Sequence, residues 1–373
     1  MRVGILGAGQ LGQMLARAGH ALGMEFRFLA PPGESCVEGL GELLLGDLRD
    51  PALLDRFVQG LEAVTYEWEN VPAAAIEHLR RRVPVRPGPE SLRIGQDRIQ
   101  EKQFFRSCGL SVQAFAPVDA PRDFAMALQA VPLPGMLKTR RLGYDGKGQA
   151  RIKDARDLSA AFEMLGGVPC ILEAFVPFQA EISLLAVRAL DAGGTEEIRF
   201  WTPCRNEHRE GILDRTVSPA PELDAVVIHE AQHGVRQLLR RLGHEGVLCV
   251  EFFLKDGHLV ANEMAPRVHN SGHATIEGAF TSQFENHMRA VARMPLGSTE
   301  ARGVTAMRNL VGSVGCPQAA MPKGTFLHLY GKQPRARRKL GHVTSVAQRE
   351  IDAVAACDAA FAALQAQPAS ARG

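Results

Sequence analysis

The chain has 373 residues, of which 46% are hydrophobic and 23% charged, an ordinary globular composition at a length that asks for two or three domains of about 100 to 200 residues. A formal net charge of +2 and a pI near 8.2 give no broad basic field, so no nucleic-acid partner is expected. Seven scattered cysteines suit reduced thiols, the chain starts directly on a strand, and no apolar run approaches the roughly 18 residues of a membrane span, so a cytoplasmic protein is expected.

Residues 1–95 alternate apolar strands (3–6, 26–29, 63–66) with helical patterns such as 11–22, the sequence form of a parallel α/β sheet. Between the first strand and its helix stands Gly7-Ala8-Gly9-Gln10-Leu11-Gly12. Glycines there let the backbone approach a phosphate at a helix N-terminus, or simply allow a tight turn. An NAD fingerprint would need an acidic residue ending the second strand; the chain offers Phe28-Leu29-Ala30-Pro31, and NAD is not expected. After the third strand, Glu67 and Glu69 lie where such sheets bind ligands, although Glu69 reads equally as a cap or a solvated acid.

A proline and glycine cluster at 83–89 marks a boundary, and one helix is expected over 91–107. The stretch 136–152 reads strand, glycine-rich loop, strand. Its loop, Gly143, Tyr144, Asp145, Gly146, Lys147, Gly148 and Gln149, is no Walker loop, because Lys147 precedes a glycine and a β pattern rather than a helix. It fits a flap over phosphates with Lys138 as a point charge, or a plain glycine hairpin. Glu173, Ala174, Phe175 and Val176, followed by Glu181, read as an edge-strand hinge able to hold a nucleoside, or as an ordinary strand with a surface acid.

Further on come antiparallel-looking strands (182–187, 197–201), with His208 soon after, a helix over 224–242 and paired strands at 247–254 and 258–263. Glu251 and Glu263, joined by Asn262, suit a hard divalent cation bridging phosphates. Arg267 and His269 offer donors to a second anion beside it. Two more strands are expected at 325–330 and 341–346, with Lys332, Arg338 and Lys339 either in a solvated basic loop or on a phosphate; the alanine-rich tail after Asp352 carries no motif.

Together and in this order, the glycine turn, the Gly143-Tyr144-Asp145-Gly146-Lys147-Gly148-Gln149 loop, Asn262-Glu263 and Arg338-Lys339-Leu340-Gly341-His342 resemble the 5-(carboxyamino)imidazole ribonucleotide synthetases, ATP-grasp ligases of purine synthesis. The resemblance implies an α/β and α+β ATP-grasp fold with an N-terminal Rossmann-like domain (1–95), a linker helix and small lobe (96–178) and a large lobe with a C-terminal subdomain (179–373). It implies that ATP meets Arg98, Lys138, the loop 143–149, Glu173, Ala174, Phe175, Val176, Glu181, His208 and Asn262, with Mg2+ on Glu251 and Glu263. Bicarbonate falls near Glu67, Tyr144, Lys147, Arg267, His269 and Asn270. The phosphate of aminoimidazole ribonucleotide goes to Gln10, Leu11, Lys332, Arg338 and Lys339, and the assembly is expected to be a homodimer. Leu142 departs from the family, whose members often carry glycine there. A formate-using ligase for glycinamide ribonucleotide is the related alternative, and a nicotinamide dehydrogenase the remote one.

Overall fold

The alternation at the N-terminus folds into a sheet of four parallel strands, β1 (Arg2–Leu6), β2 (Glu25–Ala30), β3 (Glu42–Leu45) and β4 (Ala63–Tyr66), in the order β3-β2-β1-β4. β4 is buried along its whole length, as strands covered on both faces are. The strand order reverses between β1 and β4, and their carboxyl ends open the crevice where such sheets take ligands. The computed structural model describes residues 1–143, 148–221, 223–316, 318 and 320–365.

A second sheet holds β5 (Phe115–Val118), β6 (Gly135–Thr139), β7 (Gln149–Ile152) and β8 (Cys170–Ala174) in the order β5-β8-β6-β7. β8, expected at an edge, is an interior strand paired with β5 and β6. Its buried run Cys170-Ile171-Leu172-Glu173 is the unbroken pattern of a strand covered on both faces.

The remaining strands form one antiparallel sheet: β9 (Ala180–Leu190), β10 (Glu196–Phe200), β11 (Cys204–Arg209), β12 (Ile212–Ser218), β13 (Gly246–Lys255), β14 (His258–Ala265), β15 (Val304–Val311), β16 (Thr325–Leu329) and β17 (Lys339–Ala347). They run β14-β13-β9-β11-β12-β15-β17-β16, with β10 also on β9. β11, β12 and β15 alternate too weakly to stand out in the sequence. The alanine-rich tail is a helix, Glu350–Gln365, whose Ala353, Cys357, Ala360 and Leu364 pack on the β15 and β17 side.

The helix expected over 91–107 is two, Pro89–Gly95 and Arg98–Ser107. Asp97 breaks it: its carboxylate accepts from the Ile99 and Gln100 N–H groups and starts a new helix. One core joins the first sheet to the large one. Val3, Ile5, Phe26 and Phe28 share it with Leu185, Val187, Val247, Cys249, Phe284 and Met288, so the carboxyl end of β4 is fixed against the end of the β13–β14 hairpin. No described helix is long and apolar enough to cross a membrane.

Candidate active site

The site begins with a turn. Asp256 and Gly257, at φ +51 and +77, separate the paired residues Lys255 and His258, the two-residue hairpin connection with both φ angles positive. That turn sets the register of β13 on β14 until a bulge, where Glu251 pairs with Glu263 and Phe252 with Ala261, leaving Asn262 as the extra residue. Directly opposed residues share a face of the sheet. Glu251 and Glu263 therefore stand side by side, and the bulge turns Asn262 into the same cleft.

Arg98 opens its helix just behind Asp97 and places a guanidinium N–H on Glu263 at 2.9 Å. Burial opposes the charge of Glu263, but Arg98, Lys138 and Lys102 outweigh it and hold the carboxyl at about 2. A similar balance governs Glu173, which takes Lys138 at 2.7 Å, Lys102 at 3.5 Å and the Gln113 amide at 3.0 Å. Burial again opposes ionisation, and the two lysines hold Glu173 at about 2. Lys102 is fully buried and donates to the carbonyl of Asn262, tying this network to the carboxylate hairpin. Neighbouring Glu101 accepts from the Met264 N–H at 2.7 Å, and burial raises its carboxyl to about 8.

Beside the carboxylates lies the basic run. Arg267 donates from Nε to Glu69 at 2.6 Å. This pairing answers the open question over Glu69: it holds Arg267 in place. Burial raises the Glu69 carboxyl, but the guanidinium lowers it further. His269 reaches Glu251 through Nε2 at 3.1 Å and Ser271 Oγ through Nδ1 at 2.9 Å. Burial disfavours its charge; the Cys249 sulfur and the Glu251 carboxylate favour it more and push it up to about 10. Gln283 clamps the His269 peptide, accepting from its N–H at 2.8 Å and donating to its carbonyl at 2.6 Å. Next to it, both polar side-chain atoms of Asn270 are buried without a hydrogen-bond partner, as is Oδ1 of Asn262. Buried amides are seldom left so, which marks both as sites for a polar ligand.

Glu67 gives the glycine turn a purpose that its pattern did not reveal. Its carboxylate accepts from the Gly9 N–H and, at 2.6 Å, from the Gly12 N–H. A Cβ on Gly7 would lie 2.3 Å from Glu67 Cγ, and one on Gly9 2.9 Å from its Oε1. The glycines thus make room for a carboxylate from β4, and two of the N–H groups expected to receive a phosphate are already given to it. Burial raises the Glu67 carboxyl, and the two N–H groups hold it back only in part.

One cleft of about 780 Å³ collects most of the expected residues: Gln10, Leu11, Glu67, Arg98, Lys138, Gly143, Gln149, the stretch 173–176, Glu181, His208, Glu251, Asn262, Glu263, Arg267, His269, Asn270 and Lys339. Glu181 meets His208 Nδ1 at 2.5 Å, and although burial opposes it, this bond raises the imidazole. Gly148, Lys332 and Arg338 stand off the lining. Lys332 instead touches Gln10, and Arg338 touches Glu34. Tyr144, Asp145, Gly146 and Lys147 lie outside the described residues. Leu142, the departure from the family, has φ +64, a left-handed backbone that glycine adopts without strain. Sequence reasoning missed Glu34, Glu101, Lys102 and Gln283, which act through neighbours rather than through a motif.

Family models match residues 1–96 (ribonucleotide synthetase preATP-grasp domain), 103–284 (ATP-grasp domain) and 305–356 (phosphoribosylaminoimidazole carboxylase C-terminal domain). An N5-carboxyaminoimidazole ribonucleotide synthase from Pseudomonas aeruginosa is 48% identical over 92% of this chain and 94% of its own. The chain belongs to the N5-carboxyaminoimidazole ribonucleotide synthase family. It is an ATP-grasp ligase that carboxylates aminoimidazole ribonucleotide with ATP and bicarbonate in purine biosynthesis, which decides against the formate-using and dehydrogenase alternatives. The crystal structure of the family member from Thermus thermophilus superposes with a TM-score of 0.89 at 44% identity, over 98% of this chain and 99% of that one. That of the Aspergillus clavatus synthase, in complex with ADP and 5-aminoimidazole ribonucleotide, gives 0.87 at 26% identity over 97% and 98%.

Proposed function

We propose that the cleft divides the reaction of the family among the residues assembled in it. Arg98, Lys138 and the loop 143–149 receive the triphosphate. The stretch 173–176, with Glu181, His208 and Asn262, holds the nucleoside. The Glu173 carboxylate itself is spent on Lys138, Lys102 and Gln113, so it positions Lys138 rather than touching ribose. Glu251 and Glu263 form an all-oxygen pair beside these cations, a donor set that fits Mg2+, which keeps few protein ligands and completes its shell with phosphate and water. Bound there, Mg2+ supplies neutralisation of the phosphate charge.

Bicarbonate lies against Arg267, His269 and Asn270, with Glu67, Tyr144 and Lys147 around it. A bicarbonate oxygen attacks the γ-phosphorus, the bond to the ADP oxygen breaks, and carboxyphosphate forms. The 5-amino nitrogen of the ribonucleotide then attacks the carboxyl carbon, phosphate leaves, and the nitrogen loses a proton. Glu67 and His269, both lining the cleft, are the candidates for taking that proton, and Arg267 stabilises the developing charge. Lys332, Arg338 and Lys339, with Gln10 and Leu11, hold the ribonucleotide phosphate.

The observation that carries this reading is the unpartnered amide of Asn270 in the same cleft as the opposed carboxylates, a small polar site beside a phosphate site. The test is ADP and product formation with ATP, magnesium, bicarbonate and aminoimidazole ribonucleotide, run with Asn270→Leu. The variant is expected to lose bicarbonate saturation while still binding ATP; unchanged dependence on bicarbonate would overturn the assignment. We further propose units at 1–95, 96–178 and 179–373, a cytoplasmic location, and a homodimer, the last checked by the solution mass from light scattering.

A further inference from the structure

Arg338 and Lys332, both assigned to the ribonucleotide phosphate, have partners at the mouth of the cleft. Arg338 pairs with the carboxylate of Glu34, on the loop after β2, and the backbone N–H of Gln333 donates to the same carboxylate at 2.6 Å. Lys332 contacts Gln10 nearby. A guanidinium and a backbone N–H converging on one carboxylate form the donor set that binds a phosphate oxygen. Arg338 is half-buried, with a side-chain accessibility of 21%, whereas Glu34 lies on the exposed rim of the loop, where an incoming phosphate can reach its partners. Glu34 itself belongs to no motif and takes no part in the mechanism above.

We propose that Glu34 is an internal stand-in for the ribonucleotide phosphate: its carboxylate occupies Arg338 and the Gln333 N–H in the empty enzyme and gives them up when the substrate's phosphate arrives. The inference rests on the assignment of Lys332, Arg338 and Lys339 to that phosphate. A singly charged carboxylate tethered in the site keeps out inorganic anions of low charge, such as bicarbonate and chloride, while a phosphate near −2 with several acceptor oxygens displaces it. Glu34 is then a specificity residue, and it makes binding of the ribonucleotide weaker and more selective than the cations alone would.

The test compares Glu34→Gln with Arg338→Ala in the full-length enzyme. For Glu34→Gln we expect KM for aminoimidazole ribonucleotide to fall by about three- to tenfold, the range of one charge-assisted contact returned to the ligand at a partly exposed site. Inorganic phosphate should compete with the ribonucleotide more strongly by a similar factor, and KM for ATP should stay unchanged. If Glu34 merely holds Arg338 in place, KM for the ribonucleotide rises instead and phosphate competition weakens, which overturns the proposal. Unchanged values overturn it as well. Arg338→Ala separates this from the underlying assignment. A raised ribonucleotide KM in that variant upholds the phosphate site whatever Glu34 does, whereas an unchanged one removes the site and the proposal with it. Glu34→Asp, which keeps the charge on a shorter arm, should fall between wild type and Glu34→Gln.

Discussion

The two ends of the cleft are built differently. At the nucleotide end, Glu251, Asn262 and Glu263 come from one hairpin, and their placement follows from strand register and a single bulge. At the ribonucleotide end, Gln10 at a helix start and Glu34, Lys332 and Arg338 on loops meet from opposite ends of the chain. The first arrangement is local and rigid, so it is set by backbone geometry; the second depends on the docking of the first sheet against the large one. Damage at the first should therefore appear in the chemistry, and damage at the second in the affinity for one substrate.

The largest effect is expected from Glu263→Gln. A carboxamide keeps the shape but loses the negative charge beside the phosphates, and turnover should fall by at least about a hundredfold with the circular dichroism unchanged. Near-normal ADP formation at saturating magnesium would break the comparison at its stronger end. Next comes the double variant Arg338→Ala/Lys339→Ala, which should raise KM for the ribonucleotide far more than KM for ATP. Each lost contact is worth roughly 1.5 to 3 kcal/mol; equal weakening of both substrates would show that the two ends do not act separately.

Lys147→Ala tests what joins the two ends chemically. If the loop shields carboxyphosphate from water, ADP release should continue while carboxylated product drops further. A constant product-to-ADP ratio would remove the shielding role.

The docking on which the second end relies contains two buried imidazoles. His287 bridges Thr65 of β4, at 2.8 Å, and the Val247 N–H of β13, at 3.1 Å; His244 bonds Ser91 at 2.9 Å. Burial lowers both from an ordinary 6.5 to about 3. The unfolded chain therefore takes up protons below about pH 6.5 that the folded chain refuses until about pH 3. Each imidazole should make stability fall as pH drops through that window, by up to about 1.4 kcal/mol per pH unit, while the raised Glu101 carboxyl pulls the other way until about pH 4.5. Denaturant titrations at several pH values would show it. His287→Asn should flatten the slope, and an identical slope in the variant would deny His287 the role.

The smallest effect belongs to Leu142→Gly. The side chain is 73% exposed and its φ is +64, so glycine relieves strain of about 1 kcal/mol while adding unfolded-state freedom of similar size. Melting should shift by no more than a few degrees, and a large loss of stability would mean that Leu142 packs in a way its exposure does not show.

Most of the nucleotide end was legible because its signals are local: alternation located β13 and β14, and the adjacent Asn262-Glu263 with Glu251 located the carboxylates. The same reasoning failed where a residue's environment decides its role. The Gly7 to Gly12 pattern looks like a phosphate turn, yet Gly9 and Gly12 serve Glu67, which lies far along the chain. Continuous helical periodicity concealed the break at Asp97, whose capping bonds compete with the helix interior. β8 was placed at an edge because a strand's neighbours are not written in its own residues. Lys102 and Glu34 could have been found only by asking what each charge pairs with across the fold.

The Asp256-Gly257 turn and the bulge at Asn262 bear on how this chain can vary. Because side chains alternate between faces, one residue inserted into either strand between the turn and the carboxylates would send Glu251 or Glu263 to the far side of the sheet. The turn residues could be exchanged for Asn-Gly with the same backbone. Across this hairpin, then, substitutions should be tolerated far more readily than changes in length, and the spacing from Glu251 to Glu263 works as a ruler for the distance between the two carboxylates.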